Sequence, residues 1–262
     1  MTTFSKMTLK EIERYLQTQT AALQPQEWKL LAADARAGVK KLLAQYTARR
    51  QAERTEQERL SALLCYERQL REKGYTYIAG VDEAGRGPLA GPVVAAAVIL
   101  PPHFHLPGLN DSKQLTPGKR EKLFAALQET ALAWSCGVAA VEEIDELNIY
   151  QATKLAMLRA LQKLSIKPDY VLLDGISLQE LPCPQQRING GDRLSATVAA
   201  ASIIAKVTRD RLMCEMDKKY PGYGFASHKG YPTREHRRAI ARLGPCPLHR
   251  RSFLLLPEGE KL

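Results

Sequence analysis

Long apolar runs are missing from this chain: the longest uninterrupted one, Val93 to Leu100, falls far short of the roughly 20 residues a membrane-spanning helix needs. The N-terminus also lacks a charged stretch leading into an apolar core, so no secretory leader is read there and a cytoplasmic protein is the expectation. CxxC spacing is absent too. The five cysteines, Cys65, Cys136, Cys183, Cys214 and Cys246, are odd in number and scattered, which suits reduced thiols rather than a disulfide framework. His103 and His105 stand in a Pro-rich loop with no cysteine nearby, so no structural zinc is expected. Acidic residues are the minority charge, 28 Asp and Glu against 38 Lys and Arg, giving a formal charge of +10 and a pI near 9.4. That balance implies an anionic partner, and nucleic acid fits it better than a membrane surface.

Strand signals are missing from the first seventy or so residues. This segment is charged and reads as helical: Thr8-Leu9-Lys10-Glu11 has the form of a capping box, Pro25 opens a second helix, and Val39 to Lys73 reads as one long polar helix ended by Gly74. The basic run from Lys40-Lys41 to Arg49-Arg50 is followed by Glu53, Glu56 and Glu58, the pattern of a solvated face. Two regions are expected: a helical N-terminal extension over residues 1–71 and a larger domain over residues 72–262. The latter alternates strand-like and helix-like stretches. Strands are expected at Tyr75–Val81, Val93–Leu100, Trp134–Val141 and Tyr170–Asp174, and helices at Ile144–Leu164, Ser195–Tyr220 and Thr233–Leu243, an order that suits an α/β layered fold. Ala196, Ala199, Ala200, Ala201 and Ala205 would let the second of these helices lie close to a sheet.

Against the overall positive charge, four acids stand out. Asp82 and Glu83 lie in GVDEAGRGPLAGP, Asp174 in YVLLDG, and Asp192 in NGGDRLSATVAAASIIAKVTRD. The first two segments begin as apolar, β-rich runs and deliver their acids where the run gives way to glycine. Hard divalent cations take oxygen ligands, and phosphodiester hydrolysis needs charge neutralised on the attacking and leaving oxygens, so clustered carboxylates point to a metal cage for nuclease chemistry. Consecutive strand residues face opposite sides, so Asp82 and Glu83 reach one site only if the strand ends or bends there, as Gly85 and Gly87 permit. For Asp192, just before an Ala-rich helix, helix capping is the competing role.

Five blocks occur in one order: DEAGRGPLAGPVVAAAVIL (Asp82 to Leu100), DSKQLT (Asp111 to Thr116), LLDG (Leu172 to Gly175), GD at Asp192 with AAASIIAKVTRDR (Ala199 to Arg211), and YGFASHKGYPTREH (Tyr223 to His236). Together they resemble bacterial ribonuclease HII, the type 2 ribonuclease H family, over most of the chain from about residue 72. The resemblance implies a ribonuclease H-like mixed central sheet flanked by helices. It also implies an endonuclease that cuts the RNA strand of RNA–DNA hybrids and nicks duplex DNA beside single embedded ribonucleotides, with Mg²⁺ or Mn²⁺. Carried over position by position, Asp82, Glu83 and Asp174 match the family's metal-binding acids and Asp192 its fourth. Gly85, Arg86 and Gly87 match the segment that reads the ribose 2′-hydroxyl, and Tyr231 matches the tyrosine stacked on the following nucleotide. The N-terminal segment resembles the helical leaders of some bacterial members.

Beyond those matches, Lys113 is a candidate phosphate contact, and Lys206 and Arg209 are candidates to face nucleic acid. His228 and His236, close to Tyr231 in sequence, read as surface histidines within reach of phosphate. Arg193 departs from the family's usual small polar residue; it either pairs with Asp192 and lowers its pKa or leans toward phosphate. The basic tail His249-Arg250-Arg251 either brushes substrate or folds back. Two other classes compete with the enzyme: a catalytically dead hybrid-binding protein, which the four intact acids disfavour, and a nucleic-acid-remodelling module blind to RNA, which Gly85-Arg86-Gly87 and Tyr231 disfavour. Ribonuclease HIII, the nearest enzyme alternative, lacks the GRG pattern. Nothing requires more than a monomer.

Overall fold

The computed structural model describes residues 4–18, 23–179 and 181–256. It divides into two compact units, Met1–Arg59 and Leu60–Leu262. The first is helical: α1 (Leu9–Thr18), α2 (Pro25–Ala32) and most of α3 (Ala37–Leu63). Its core is Phe4, Ile12, Leu16, Leu31, Val39, Leu43 and Tyr46. The capping box is present, with Thr8 N donating to Glu11 Oε2 at 2.7 Å and Glu11 N to Thr8 Oγ1 at 3.3 Å, and Pro25 opens α2. The single helix expected over Val39–Lys73 is two, because the chain breaks at Leu64 before α4 (Cys65–Glu72).

The second unit is built on strands β1 (Ile78–Ala84), β2 (Val93–Ile99), β3 (Ala133–Ala139), β4 (Tyr170–Asp174) and β5 (Gln185–Ile188), in spatial order β3-β2-β1-β4-β5. β1 and β3 each run antiparallel to β2, and β4 and β5 run parallel to β1. Helices α5 (Pro117–Thr130), α6 (Val141–Leu147), α7 (Ile149–Gln162), α8 (Ala196–Lys219), α9 (Phe225–His228) and α10 (Arg234–Leu243) complete it. The helix expected over Ile144–Leu164 is likewise two. Asn148, at φ 69°, ends α6 and caps α7 by accepting from the amides of Tyr150 and Gln151.

Strand alternation sorts the core into two layers. Ala96 and Val98 of β2 pack with α5 and the alanines of α8, whereas Ala95, Ala97 and Ile99, with Ala79 and Val81 of β1, pack with Ala152, Ala156 and Met157 of α7. Gly80 belongs to the α8 layer. A Cβ there would lie 2.1 Å from the Thr197 carbonyl carbon, so the start of α8 rests directly on β1. The small residues of α8 permit this approach, as expected.

Candidate active site

The sheet register builds the acid site. The β1–β4 ladder ends at Val81 opposite Leu173, so Asp82 and Asp174 follow side by side where the two strands part. By alternation both share the layer of Gly80 and Leu172, on the side of α8. Pairing of β1 with β2 continues past both acids to Ala84, and the strand ends there; Gly85 follows at φ 99°, a conformation that favours glycine. Asp192 arrives from the opposite direction, on the 3₁₀ turn Gly191–Arg193 that leads into α8. Gly191 N donates to Asp174 Oδ1 at 2.8 Å, and Gly191 O accepts from Ser195 N. Ser195 rather than Asp192 caps α8, accepting from Val198 N, so the Asp192 carboxylate is free of that duty.

Asp82, Asp174 and Asp192 each place a carboxylate oxygen within 4.8 Å of the other two. Asp82 and Asp192 are only 2% and 3% exposed. Burial, reinforced by the charges of Glu83 and Asp174, pushes the Asp82 carboxyl well above the usual carboxylate range. Asp192 is also raised, by burial first and by Asp111 next, against the pull of Lys113. Arg193 approaches Asp192 at 3.9 Å, but the depressed pKa expected from that pairing is overturned by burial. The strand does not bend between the two acids as expected but pairs on to Ala84. Glu83 therefore stands outside the trio that meets within 4.8 Å, though near enough for its charge to raise Asp82. Its Oε1 is 3.3 Å from Arg86 and its Oε2 is buried without a hydrogen-bond partner; burial raises Glu83 as well. Crowded, oxygen-only, partly unsatisfied carboxylates are the donor set of a hard divalent cation, and these residues fit one.

Of the other candidate residues, Lys113 reaches the acids, and Tyr231 and Lys206 gather beside the glycine loop that follows them. Lys113 extends from the turn after Asp111 to within 3.4 Å of Asp192 Oδ2. Burial opposes its charge, but Asp82, Asp192 and Asp111 outweigh that and hold the ammonium above its ordinary value. Arg120 braces this loop by donating to the carbonyls of Ser112 and Leu115. A Cβ on Gly87 would sit 3.9 Å from the Tyr231 ring, so the Gly85-Arg86-Gly87 loop and the tyrosine are neighbours. Lys206 Nζ lies 5.5 Å from that ring's centre and pairs with Asp210 at 2.7 Å.

Arg209 does not face solvent, contrary to expectation. It is fully buried and donates to the carbonyls of Pro92, Lys229 and Ala90. Arg250, from the basic tail, is equally buried. Its Nη2 donates to Gly85 O and Gly91 O, its Nη1 to Arg86 O, and its Nε again to Gly91 O. The tail therefore folds back, held also by Asp145, which accepts from the amides of Arg251 and Ser252. Two guanidiniums thus fix the backbone at Lys229, two residues before Tyr231, and along the segment from the GRG loop to Pro92. Sequence offers no mark that separates such a residue from a solvated arginine.

His236 is buried, not a surface residue, and its hydrogen bonds define one proton arrangement. Cys246 N donates to His249 Nδ1, so His249 Nε2 carries the proton and donates to His236 Nε2 at 3.1 Å. His236 Nδ1 then donates to Tyr231 O at 2.9 Å. His228 accepts from Gly230 N and donates through Nε2 to Tyr223 O. Protonating His236 or His249 removes an acceptor from this chain, and burial above all holds both below the usual histidine range, His236 at about 4. The unfolded chain takes up these protons near 6.5, so the associated stability is complete above that pH and lost as pH falls toward 4. Thermal midpoints should fall across this window, and less steeply in His236→Asn, whose amide can still donate to Tyr231 O but does not titrate. An unchanged slope in that variant would show that another group governs the acid limb.

A mixed sheet with helices on both faces and a carboxylate cluster where its central parallel strands part defines a nuclease of the ribonuclease H class. The sequence matches the Ribonuclease HII model over residues 79–256 and the Ribonuclease HII N-terminal domain over residues 8–71. Ribonuclease HII of Desulfitobacterium hafniense (strain Y51) is 53% identical over 251 residues, 95% of each chain. That of Geobacillus thermodenitrificans (strain NG80-2) is 53% identical over 254 residues, 96% of each. The crystal structure of ribonuclease H2 from Pyrococcus horikoshii OT3 superposes with a TM-score of 0.58 at 31% identity, covering 69% of this chain and 95% of that one. A Bst ribonuclease HIII, solved in complex with Mn²⁺, shares the fold at 20% identity and a TM-score of 0.51, covering 64% of this chain and 61% of that one. The chain belongs to the ribonuclease HII family, and is an endonuclease of the ribonuclease H kind. Among the described residues no helix is long and apolar enough to cross a membrane.

Proposed function

We propose that this enzyme hydrolyses the RNA strand of RNA–DNA hybrids and nicks duplex DNA on the 5′ side of single embedded ribonucleotides, leaving 5′-phosphate and 3′-hydroxyl ends. Its role would be the removal of misincorporated ribonucleotides and RNA primers, in the cytoplasm and as a monomer. The observation that carries this reading is the meeting of Asp82, Asp174 and Asp192 within 4.8 Å beside a glycine loop that abuts Tyr231. Asp82, Glu83, Asp174 and Asp192 would hold Mg²⁺ or Mn²⁺, which when bound supplies charge neutralisation at the phosphate and activates water, in a two-ion arrangement.

The remaining tasks fall to the chain itself. Lys113 offers a positive charge to the scissile phosphate. The backbone of Gly85, Arg86 and Gly87, with no side chain at its first and third residues, would read the 2′-hydroxyl, the group that distinguishes RNA from DNA at one position. Tyr231 offers its face to the next base, with the Lys206 ammonium near its ring. We also divide the chain functionally into a helical extension, residues 1–71, and a catalytic domain, residues 72–262; the end of the N-terminal family match at residue 71 supports that boundary.

Cleavage of a DNA duplex carrying one ribonucleotide, with Mg²⁺, Mn²⁺ or EDTA, tests the proposal. Metal-dependent nicking 5′ to the ribonucleotide is expected. Cleavage of long hybrids alone would remove the roles given to Gly85, Arg86, Gly87 and Tyr231, and tight binding with no cleavage would reduce the chain to a binding module.

A further inference from the structure

Glu67, on α4, is a fully buried carboxylate outside the candidate acid cluster. Its Oε1 accepts three hydrogen bonds, all from the first turn of α8: Ser195 Oγ at 2.6 Å, Thr197 N at 2.9 Å and Thr197 Oγ1 at 2.8 Å. Its Oε2 is buried with no hydrogen-bond partner. Burying a carboxylate is costly, and an apolar residue would fill the same space more cheaply. What the carboxylate gains is a complementary charge at a helix N-terminus and a single fixed position for that terminus.

The residues it holds lead directly to the acid site. Ser195 N donates to Gly191 O, and Gly191 N donates to Asp174 Oδ1, so a chain of hydrogen bonds runs from Glu67 through Ser195 and Gly191 to Asp174 and includes the turn bearing Asp192. Thr197, gripped by Glu67 through both amide and hydroxyl, is also where α8 rests on Gly80, two residues before Asp82. We infer that Glu67 is a positioning residue: by fixing the start of α8 against β1 it sets the spacing of the Asp82, Asp174 and Asp192 carboxylates, and hence their affinity for a divalent cation. The inference rests on the proposed metal role of those acids.

Calorimetric titration of the full-length, nucleic-acid-free protein with Mn²⁺ tests it, alongside the rise in thermal midpoint that Mn²⁺ produces. Glu67→Ala should weaken Mn²⁺ binding about 10- to 100-fold, the usual cost of losing a group that orients metal ligands. Glu67→Gln, which keeps an acceptor oxygen, should recover most of the affinity. Ser195→Ala, which cuts one link without emptying the Glu67 site, should weaken binding in the same direction and covers the case in which Glu67→Ala does not fold. If Glu67→Ala, or in its absence Ser195→Ala, is folded and less stable yet binds Mn²⁺ like the wild type, Glu67 is only a helix cap and the inference falls. Asp82→Asn separates the two layers of the argument: loss of Mn²⁺ binding there confirms the site whatever Glu67 does, and retained binding removes the metal reading itself.

Discussion

Asp82→Asn should lose at least about 10³-fold in cleavage, roughly 4 kcal/mol of barrier, while making the metal-free protein more stable at neutral pH. Both effects come from one buried oxygen pair. With Asn in place, the cluster loses a charge from the three carboxylates that converge within 4.8 Å, and cation-dependent chemistry loses several kcal/mol of charge stabilisation. The gain in stability follows from the raised pKa. Asp82 is held above the usual carboxylate range by burial and by the charges of Glu83 and Asp174, so the folded state binds its proton more tightly than the unfolded chain does. The stability this brings is fully present below the unfolded carboxylate pKa and is lost as pH rises through the folded value. At neutral pH the metal-free wild type therefore bears the cost of ionising or protonating a buried carboxyl against its surroundings, which Asn does not. Thermal midpoints in EDTA should favour the variant at pH 7–8 and converge with the wild type in acid. A variant that is both active and less stable at neutral pH would contradict the assignment on each count.

Arg250→Ala should be the most damaging change away from the acids, since it strips the donor from three backbone carbonyls, and each buried acceptor left unsatisfied costs about 1–3 kcal/mol. Four hydrogen bonds would go, and the carbonyls of Gly85, Arg86 and Gly91 would lose their guanidinium donor in a site closed to water. Arg250→Lys should recover only part of this, because a single ammonium cannot fork to several carbonyls at once. The readouts are the denaturation midpoint and, at a temperature where the variant stays folded, the ratio of cleavage at a ribonucleotide to binding of an all-DNA duplex. That ratio should fall, because the loop proposed to read the 2′-hydroxyl would no longer be held from behind. Wild-type stability in Arg250→Ala would mean that the loop holds its shape unaided.

Legibility from sequence followed physical cause. β1, β2 and β4 were readable because buried, β-rich runs of Ile, Val, Leu and Ala have few other uses, although β1 begins three residues later than expected. β5, Gln185-Gln186-Arg187-Ile188, was missed: a short, largely polar edge strand has no apolar signature. The breaks at Leu64 and Asn148 were missed because neither carries Pro or Gly; Asn148 adopts positive φ, which asparagine tolerates but does not advertise. The acids and the GRG loop stood out by residue type. Arg209, Arg250, His236 and Glu67 did not, because a charge or imidazole inside the protein is spelled with the same letter as one in solvent.

The register that places Asp82 beside Asp174 has a consequence for how the molecule forms. The two acids come from strands far apart in the chain, and Asp192 joins them only when α8 has settled on Gly80. No local segment contains the site, and an early folding intermediate would have all the acids but no cluster. The carboxylates repel as the last long-range pairing brings them together, so the cluster resists the final step of folding rather than guiding it. A cation that binds there would reward only completed molecules, drawing the population toward the native state by mass action without lowering the entropic barrier of the early loop closures.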